Sequence, residues 1–424
     1  MPDLKTAQRL AAEAVGQVLA GRNLTSALDA LFRTHSNITP QQRAVAQSLS
    51  YGTLRFYGRL QSVLARLLDK PLTHEGVHRL LLVALYQLIY DRASSHTVVN
   101  QAVEAAALFK KPWAKGLVNA VLRNYLRRAE EFAGPDLADE TARYSYPQWW
   151  INKLRLQYPE TWQSMLETGN GHPPMSLRIN LARIAVQDYS AMLDSAGIGH
   201  ELIGRQAVML NKPLPVDQLP GFAQGLVSVQ DYGAQFAAEL LDVAGGMRVL
   251  DACCAPGGKT SHILELAAVD MLALDHDAER LQRVRSNLDR LQLNATLKAG
   301  DAAEPAGWWD GVPFDRILAD VPCTASGIVR RHVDIKWLRR EADVEAFARQ
   351  QALILQSLWQ LLAKGGKLLY ATCSIFHEEN QGQIDRFLEQ HKDATQLTLQ
   401  HPEDGQLIPC AQNDGFFYAL LQKH

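Results

Sequence analysis

The chain has 424 residues, 47% of them hydrophobic and 21% charged, with a formal net charge of −2. This composition excludes a disordered, collagenous or coiled-coil protein, and at roughly 150 residues per domain the length predicts two or three domains. The densest apolar run, residues 80–90 (LLLVALYQLIY), is about half a membrane span, and the opening MPDLKTAQRL has no signal-peptide core, so the expected location is the cytoplasm, away from any membrane.

The near-neutral total conceals a division. The first 133 residues carry 17 Lys and Arg against 9 Asp and Glu, which leaves the remainder acidic. A basic region suits a polyanionic partner, although solvated helix faces would give the same count. Apolar residues recur at three- and four-residue steps over residues 6–19, 41–59, 77–90, 98–108 and 115–128, so residues 1–133 read as an all-α domain. Thr39-Pro40 and Pro71-Leu72-Thr73 look like helix starts, and residues 131–139 (EFAGPDLAD) break the periodicity.

Residues 145–240 read as a small α/β connector, with helices over 147–156 and 186–195 and strands over 175–180 and 226–230. From 241 to 424 short apolar strands (248–253, 271–275, 295–298, 316–320, 367–372) alternate with helices such as 278–291 and 344–362, and a strand over 415–421 closes the chain. Such alternation predicts a Rossmann-like α/β domain, a parallel sheet with right-handed crossovers whose ligands bind beyond the carboxyl ends of the strands. The fold class expected is therefore multidomain: all-α, then small α/β, then doubly covered α/β.

Chemistry is sought at those strand ends. The first strand runs RVLDACCAPGGKT, entering a turn at Pro256-Gly257-Gly258 before a helix. A P-loop needs a glycine six residues before Lys259, where Cys253 stands, and the G-x-G-x-x-G spacing of a dinucleotide site is absent. A turn for S-adenosylmethionine, which is zwitterionic and needs no phosphate cradle, fits best. Asp275 ends the second strand, where a carboxylate can accept from both ribose hydroxyls or cap the next helix; Asp301, after the third, can meet an adenine amino group or serve as a turn residue.

Five cysteines (253, 254, 323, 373 and 410) include no C-x-x-C pair and no histidine at zinc-finger spacing, so neither a disulfide scaffold nor a metal site is expected. Cys323, in Asp320-Val321-Pro322-Cys323, and Cys373, in Thr372-Cys373-Ser374, stand at the ends of the fourth and fifth strands. A thiolate is a strong nucleophile once a cation lowers its pKa, and Lys259 is the candidate cation. Beside S-adenosylmethionine it has an evident use: adding at C6 of a pyrimidine, it makes C5 nucleophilic enough to take a methyl group. Asp320 could then hydrogen-bond the cytosine N3–N4 edge. The residues alone leave open which cysteine attacks. Downstream, Arg330, Arg331, Lys336 and Trp337 suit phosphate contacts and base stacking, or a solvated helix start. Two rival functions are a P-loop nucleotide hydrolase with Asp320 holding magnesium, and an RNA adaptor carrying an inactive methyltransferase fold.

Residues 251–260 (DACCAPGGKT), 320–327 (DVPCTASG) and 370–374 (YATCS) together resemble the Sun/Fmu family of RNA 5-methylcytosine methyltransferases. The resemblance covers the whole chain, the helical third being similar to a NusB-like RNA-binding domain. It implies S-adenosylmethionine as methyl donor, S-adenosylhomocysteine as product, and C5 of a cytosine in small-subunit (16S) ribosomal RNA as target. It further implies Cys373 as nucleophile and Cys323 as the residue that assists product release. Cys253, Cys254, Ala255, Pro256, Gly257, Gly258, Lys259, Asp275, Asp301 and Asp320 would line the cofactor pocket. Cys254 departs from the alanine usual in this motif, and with Cys410 it is expected to be structural. A monomer without metal is the expected working form.

Overall fold

The computed structural model describes residues 4–35, 37–91, 93–134 and 139–424, so part of the expected break at 131–139 lies outside the described residues. Two compact units emerge: Met1–Gly171 with Val329–Glu341, and His172–Ile328 with Ala342–His424.

The first unit is helical: α1 (Leu4–Leu19), α2 (Leu24–Thr34), α3 (Pro40–Arg55), α4 (Tyr57–Leu67), α5 (Glu75–Tyr90), α6 (Ser95–Ala107), α7 (Ala114–Arg127), α8 (Glu140–Tyr144), α9 (Gln148–Gln157) and α10 (Trp162–Gly169). The long apolar run belongs to α5, whose Leu80 to Leu85 are all fully buried because α1, α3, α4, α6 and α7 surround it. A helix apolar on every side is a bundle's central helix as readily as a membrane segment, and none of the described helices is long and apolar enough to cross a membrane. Thr39 and Gln42 form a reciprocal capping box with Pro40 in the first turn, as the sequence suggests. The single helix expected over 41–59 is divided at Phe56, which leaves helical geometry and stacks on Tyr90 with ring centroids 4.0 Å apart. Helix α2, missed by periodicity, is short and buries one stripe, Leu24, Ala27, Leu28 and Leu31. The residues of α9, expected in the connector, pack with the helical unit.

The second unit opens with β1 (Met175–Ile179), α11 (Val186–Ser195), β2 (His200–Ile203), β3 (Ala207–Leu210) and β4 (Val227–Val229), a four-stranded antiparallel sheet in the order β2-β3-β1-β4. There follow α12 (Tyr232–Leu240), β5 (Arg248–Asp251), α13 (Gly258–Leu266), β6 (Asp270–Asp275), α14 (Ala278–Leu291), β7 (Thr296–Ala299) and β8 (Phe314–Asp320). After α15 (Ile335–Leu338), in the excursion to the first unit, come α16 (Glu341–Leu361), β9 (Leu362–Thr372), α17 (Gln381–Gln390), β10 (Ala394–Leu397), β11 (Gln406–Leu407) and β12 (Phe416–Lys423).

Strands β7-β6-β5-β8-β9 are parallel, as expected, but β12 pairs antiparallel with β9, and β10 and β11 antiparallel with β12. The sheet is therefore mixed. Hydrophobic alternation reveals a strand but not its direction, and here the chain after α17 passes through β10 and β11 before β12 enters beside β9 from the opposite end.

The segment Val329–Glu341 corrects one sequence expectation. Lys336 is fully buried, and its ammonium donates to the Arg55 carbonyl at 2.8 Å, the Ser145 carbonyl at 2.9 Å and Asn170 Oδ1 at 2.8 Å. It lies 4.3 Å from the Tyr146 ring centre, and its pKa is held well below the usual lysine value by burial. Trp337 donates its indole N–H to the Leu54 carbonyl at 2.7 Å, and Arg330 is 3% exposed. Lys336 and Arg330 are thus buried and Trp337 is tied down by its indole N–H, so they act as internal anchors, not a phosphate-contacting face; of the four, Arg331 and Trp337 are part-exposed.

Candidate active site

Because β7, β6, β5, β8 and β9 run in the same direction, their carboxyl ends form one row. Asp301, Asp275, the Cys253–Lys259 turn, Asp320 and Cys373 follow those ends in that order, at about 4.8 Å per strand. The motifs scattered over the sequence are neighbours along this edge.

The turn between β5 and α13 hangs on Asp275, whose Oδ2 accepts the Ala255 N–H at 3.0 Å. Gly257 has φ +97°, and a Cβ there would meet Val284 at 3.0 Å, so glycine is required by both backbone and space. No side chain caps α13, whose first amides are thus suited to an anionic group. Cys254 packs beneath the turn with Ala273, Leu281 and Val284. Burial pushes the thiols of Cys253 and Cys254 well up, which makes both poor nucleophiles. Asp301 is exposed and its Oδ1 accepts the N–H of Ala303 at 2.8 Å.

Lys259 Nζ lies 2.6 Å from Asp320 Oδ2. Burial pulls the lysine pKa down, but Asp320, and after it Cys373 and Asp251, more than compensate, and the ammonium is held above its usual value. A lysine committed to a carboxylate is not placed like a P-loop lysine, whose task is to meet phosphate. Beneath it Asp251 is fully buried and accepts from Thr260 Oγ1 at 2.6 Å; burial raises its pKa to about 7.

The two strand-end cysteines meet. Their sulfurs are 3.4 Å apart. Cys323 is buried, and its hydrogen bond with Cys373, reinforced by burial, holds its pKa well above the ordinary thiol value. Cys373 is the more accessible of the pair and is the one that interacts with the Lys259 charge. The Gly327 N–H of the Cys323 loop donates to the Cys373 carbonyl at 2.8 Å, and the same loop lies so close to the start of β12 that a Cβ on Gly327 would stand 2.3 Å from the Gly415 carbonyl.

Sequence reasoning missed the residue that joins these loops. Glu379, fully buried, accepts from the Thr324 N–H at 2.8 Å, from Thr324 Oγ1 and Ser374 Oγ at 2.5 Å each, and from Gln351 Nε2 at 3.1 Å. Thr324 and Ser374 are the residues that follow the two cysteines, so one carboxylate holds both loops. Burial raises its pKa against the effect of these four donors. Asn380 adds two bonds to the Cys373 loop, from its amide to the Ser374 carbonyl at 2.9 Å and to its oxygen from Thr372 Oγ1 at 2.7 Å. The only sequence signal was a Glu-Asn pair five residues after Ser374. Arg178 on β1 was also missed: fully buried, it pairs with Glu265 at 2.8 Å and donates to the Gly258 carbonyl at 2.9 Å, fixing α13 from the four-stranded sheet.

These residues fit a zwitterionic, adenosine-bearing cofactor: carboxylates at two strand ends, uncapped amides at a helix start, and no basic cluster for a triphosphate. Among the described residues no group of His, Cys, Asp and Glu side chains is arranged to hold a metal ion.

Comparison with known proteins finds three successive family matches, in the order helical, small α/β and Rossmann-like. Residues 238–422 match a family described as 16S rRNA methyltransferase RsmB/F, residues 146–217 the ferredoxin-like domain of RsmF/B-like methyltransferases, and residues 5–127 the NusB family. The chain is 43% identical to ribosomal RNA small subunit methyltransferase B of Serratia proteamaculans, over 98% of each protein. It is 44% identical to the protein of the same name from Pseudomonas putida, over 100% of this chain and 98% of that one. The crystal structure of PH0851 shares the fold over 99% of both chains, with a TM-score of 0.80 at 24% identity.

Proposed function

The chain belongs to the RsmB/F family of 16S rRNA methyltransferases, and we propose that it methylates C5 of a cytosine in small-subunit ribosomal RNA through a covalent cysteine–C6 adduct. S-adenosylmethionine is the methyl donor and supplies an electrophilic methyl group on a sulfonium. The turn from Cys253 to Lys259, with Asp275 and Asp320, would hold it.

In this reading the Cys373 thiolate adds to C6, aided by the Lys259 ammonium, and C5 gains enamine character. Asp320 accepts from the N4 amino group on the N3–N4 edge, and the Lys259 ammonium beside it stabilises the charge building on the ring. After C5 takes the methyl group it loses its proton to a base, the C6–S bond breaks, and Cys373 leaves as thiolate. Cys323, still carrying its proton, stands beside that leaving sulfur and assists release. The observation that carries the reading is the sulfur pair at 3.4 Å, with Cys323 buried and Cys373 the more accessible. The same observation disfavours an inactive RNA adaptor, which has no use for a poised pair, and the Lys259–Asp320 bond disfavours the nucleotide hydrolase.

The target base must be reached in a loop or flipped from a duplex, at a cost of a few kcal/mol that binding elsewhere on the RNA can offset. A cytoplasmic monomer acting without metal completes the proposal. Its test is denaturing electrophoresis of wild type, Cys323→Ala and Cys373→Ala after incubation with small-subunit ribosomal RNA and S-adenosylmethionine. Cys323→Ala should accumulate a covalent RNA adduct and Cys373→Ala should form none. The reverse pattern would exchange the two roles, and no adduct or methyl transfer in any lane would remove the mechanism.

A further inference from the structure

Helices α6 and α7 form an antiparallel hairpin in the helical unit, and a cavity of about 260 Å³ opens between them. Its lining combines apolar side chains (Val99, Val103, Leu126) with groups that read or hold a polar ligand (Asn100, Asn119, Arg123). On α7, Lys115, Asn119, Arg123 and Leu126 follow one another at steps of four, four and three residues, so they share one face. Asn119 Oδ1 accepts from Arg123 Nε at 2.9 Å and steadies the guanidinium, whose two terminal nitrogens have no partner among the described residues.

The loop closing the hairpin continues the pattern. Trp113 is 45% exposed, and Lys110, Lys111 and Lys115 around it are exposed and make no ion pair among the described residues. From residue 95 to residue 128 the chain carries six Lys and Arg against a single acid, Glu104. That acid pairs with Lys5 and so faces α1 rather than α7. The larger cavity of this unit, about 410 Å³, is different: Asp69 and Glu75 line it beside Lys70.

We infer that the α6–α7 groove is a binding site for an unpaired RNA strand, with a base seated between Asn100 and Asn119, phosphates on Arg123 and Lys115, and the next base stacked on Trp113. An apolar floor with two carboxamides suits a flat heterocycle with donor and acceptor edges. An ordered but unpaired guanidinium suits a phosphate, and an exposed indole among lysines suits single-strand stacking. A duplex would offer neither a free base for the groove nor one for the indole. The inference rests on the proposed RNA substrate but concerns residues outside the catalytic row.

The test is fluorescence anisotropy of the full-length protein with a labelled 16-nucleotide single-stranded RNA, and with a duplex of the same length, between 50 and 200 mM KCl. Circular dichroism melts verify that each variant is folded. Trp113→Ala should weaken single-strand binding about tenfold and Trp113→Phe should restore most of it. Arg123→Ala should weaken binding and reduce the slope of log affinity against log salt by about one. Lys70→Ala, in the acid-lined cavity, should change little. Wild-type affinity for Trp113→Ala and Arg123→Ala, while wild type itself binds RNA salt-dependently, would overturn the groove and leave the substrate class intact. Equal loss of duplex binding would overturn the unpaired-strand assignment. A wild-type protein without salt-dependent RNA binding would remove the groove and the RNA reading beneath it together.

Discussion

Replacing Glu379 by alanine tests whether one carboxylate holds the two cysteine loops in register. The substitution removes the acceptor of four donors: the Thr324 N–H, Thr324 Oγ1, Ser374 Oγ and Gln351 Nε2. The hydroxyls can turn to each other, since Thr324 Oγ1 and Ser374 Oγ are 3.3 Å apart, and Gln351 keeps its bond to the Pro322 carbonyl. The Thr324 N–H and one amide hydrogen are left buried without a partner, at about 1–3 kcal/mol each. Relief from burying a carboxylate offsets part of this, so a net loss of about 2–4 kcal/mol is expected, or roughly 2–4 °C in melting midpoint per kcal/mol. The more informative assay is the rate at which a mild oxidant such as diamide links Cys323 to Cys373, because it reads the 3.4 Å separation directly and needs neither RNA nor cofactor. Glu379→Ala should slow that reaction several-fold, and Glu379→Gln, which keeps one acceptor oxygen, should fall between. The Glu379 pKa is raised in the folded state, so its contribution is complete below the unfolded value near 4.5 and is lost as pH rises through the folded value; the deficit of Glu379→Gln should therefore shrink toward alkaline pH. An alanine variant that melts within a degree of wild type and cross-links at the wild-type rate would refute the reasoning.

Lys336→Met leaves two carbonyls and an amide oxygen unpaired in the helical unit and should cost about 3 kcal/mol or more by urea denaturation. Its pKa is depressed in the folded state, so wild-type stability should rise relative to this variant as pH climbs from the folded value toward 10.5, and a flat difference would contradict the buried amine. Arg178→Met strands Glu265 and should cost about 3–5 kcal/mol, whereas Arg178→Met with Glu265→Leu should recover most of it; equal losses in both would show that the ion pair is not the source. Asp251, raised from 3.8 to about 7, stabilises the fold below its unfolded pKa and forfeits up to ~4 kcal/mol as pH rises through 7. Asp251→Asn should flatten that pH dependence in thermal melts, and an unchanged slope would place the titration elsewhere.

The strand ends were legible because glycine, proline and acids interrupt apolar runs there, and parallel strands bring such interruptions to one edge by topology alone. The direction of β12 was not legible, since Phe416–Lys423 has the same side-chain pattern whichever way it pairs. Glu379 and Arg178 were missed for another reason. Each matters through partners far away in sequence, Thr324 55 residues from Glu379 and Glu265 87 residues from Arg178, and nothing local marks a charged residue as buried. Lys336 was misread for the same cause: amid arginines and a tryptophan it resembles a nucleic-acid contact, and only acceptors 281 and 191 residues away make it an internal anchor.

Val333 lies in the apolar cluster of Leu10, Leu24 and Leu28, and Asp334 accepts the Leu24 N–H at 2.9 Å, so the helical unit is finished by a stretch encoded late in the gene. During synthesis from the N-terminus, α1–α10 emerge first but wait for everything from His172 to Ile328 to be translated before that stretch arrives. At 5–20 residues per second the delay is on the order of ten seconds or more. A nascent chain halted before Val333 would expose the pocket of Leu10, Leu24 and Leu28, a natural place for a holding chaperone. For the same reason the helical unit cannot be exchanged among proteins by a single cut and join, and its descent is bound to that of the sequence around Cys323.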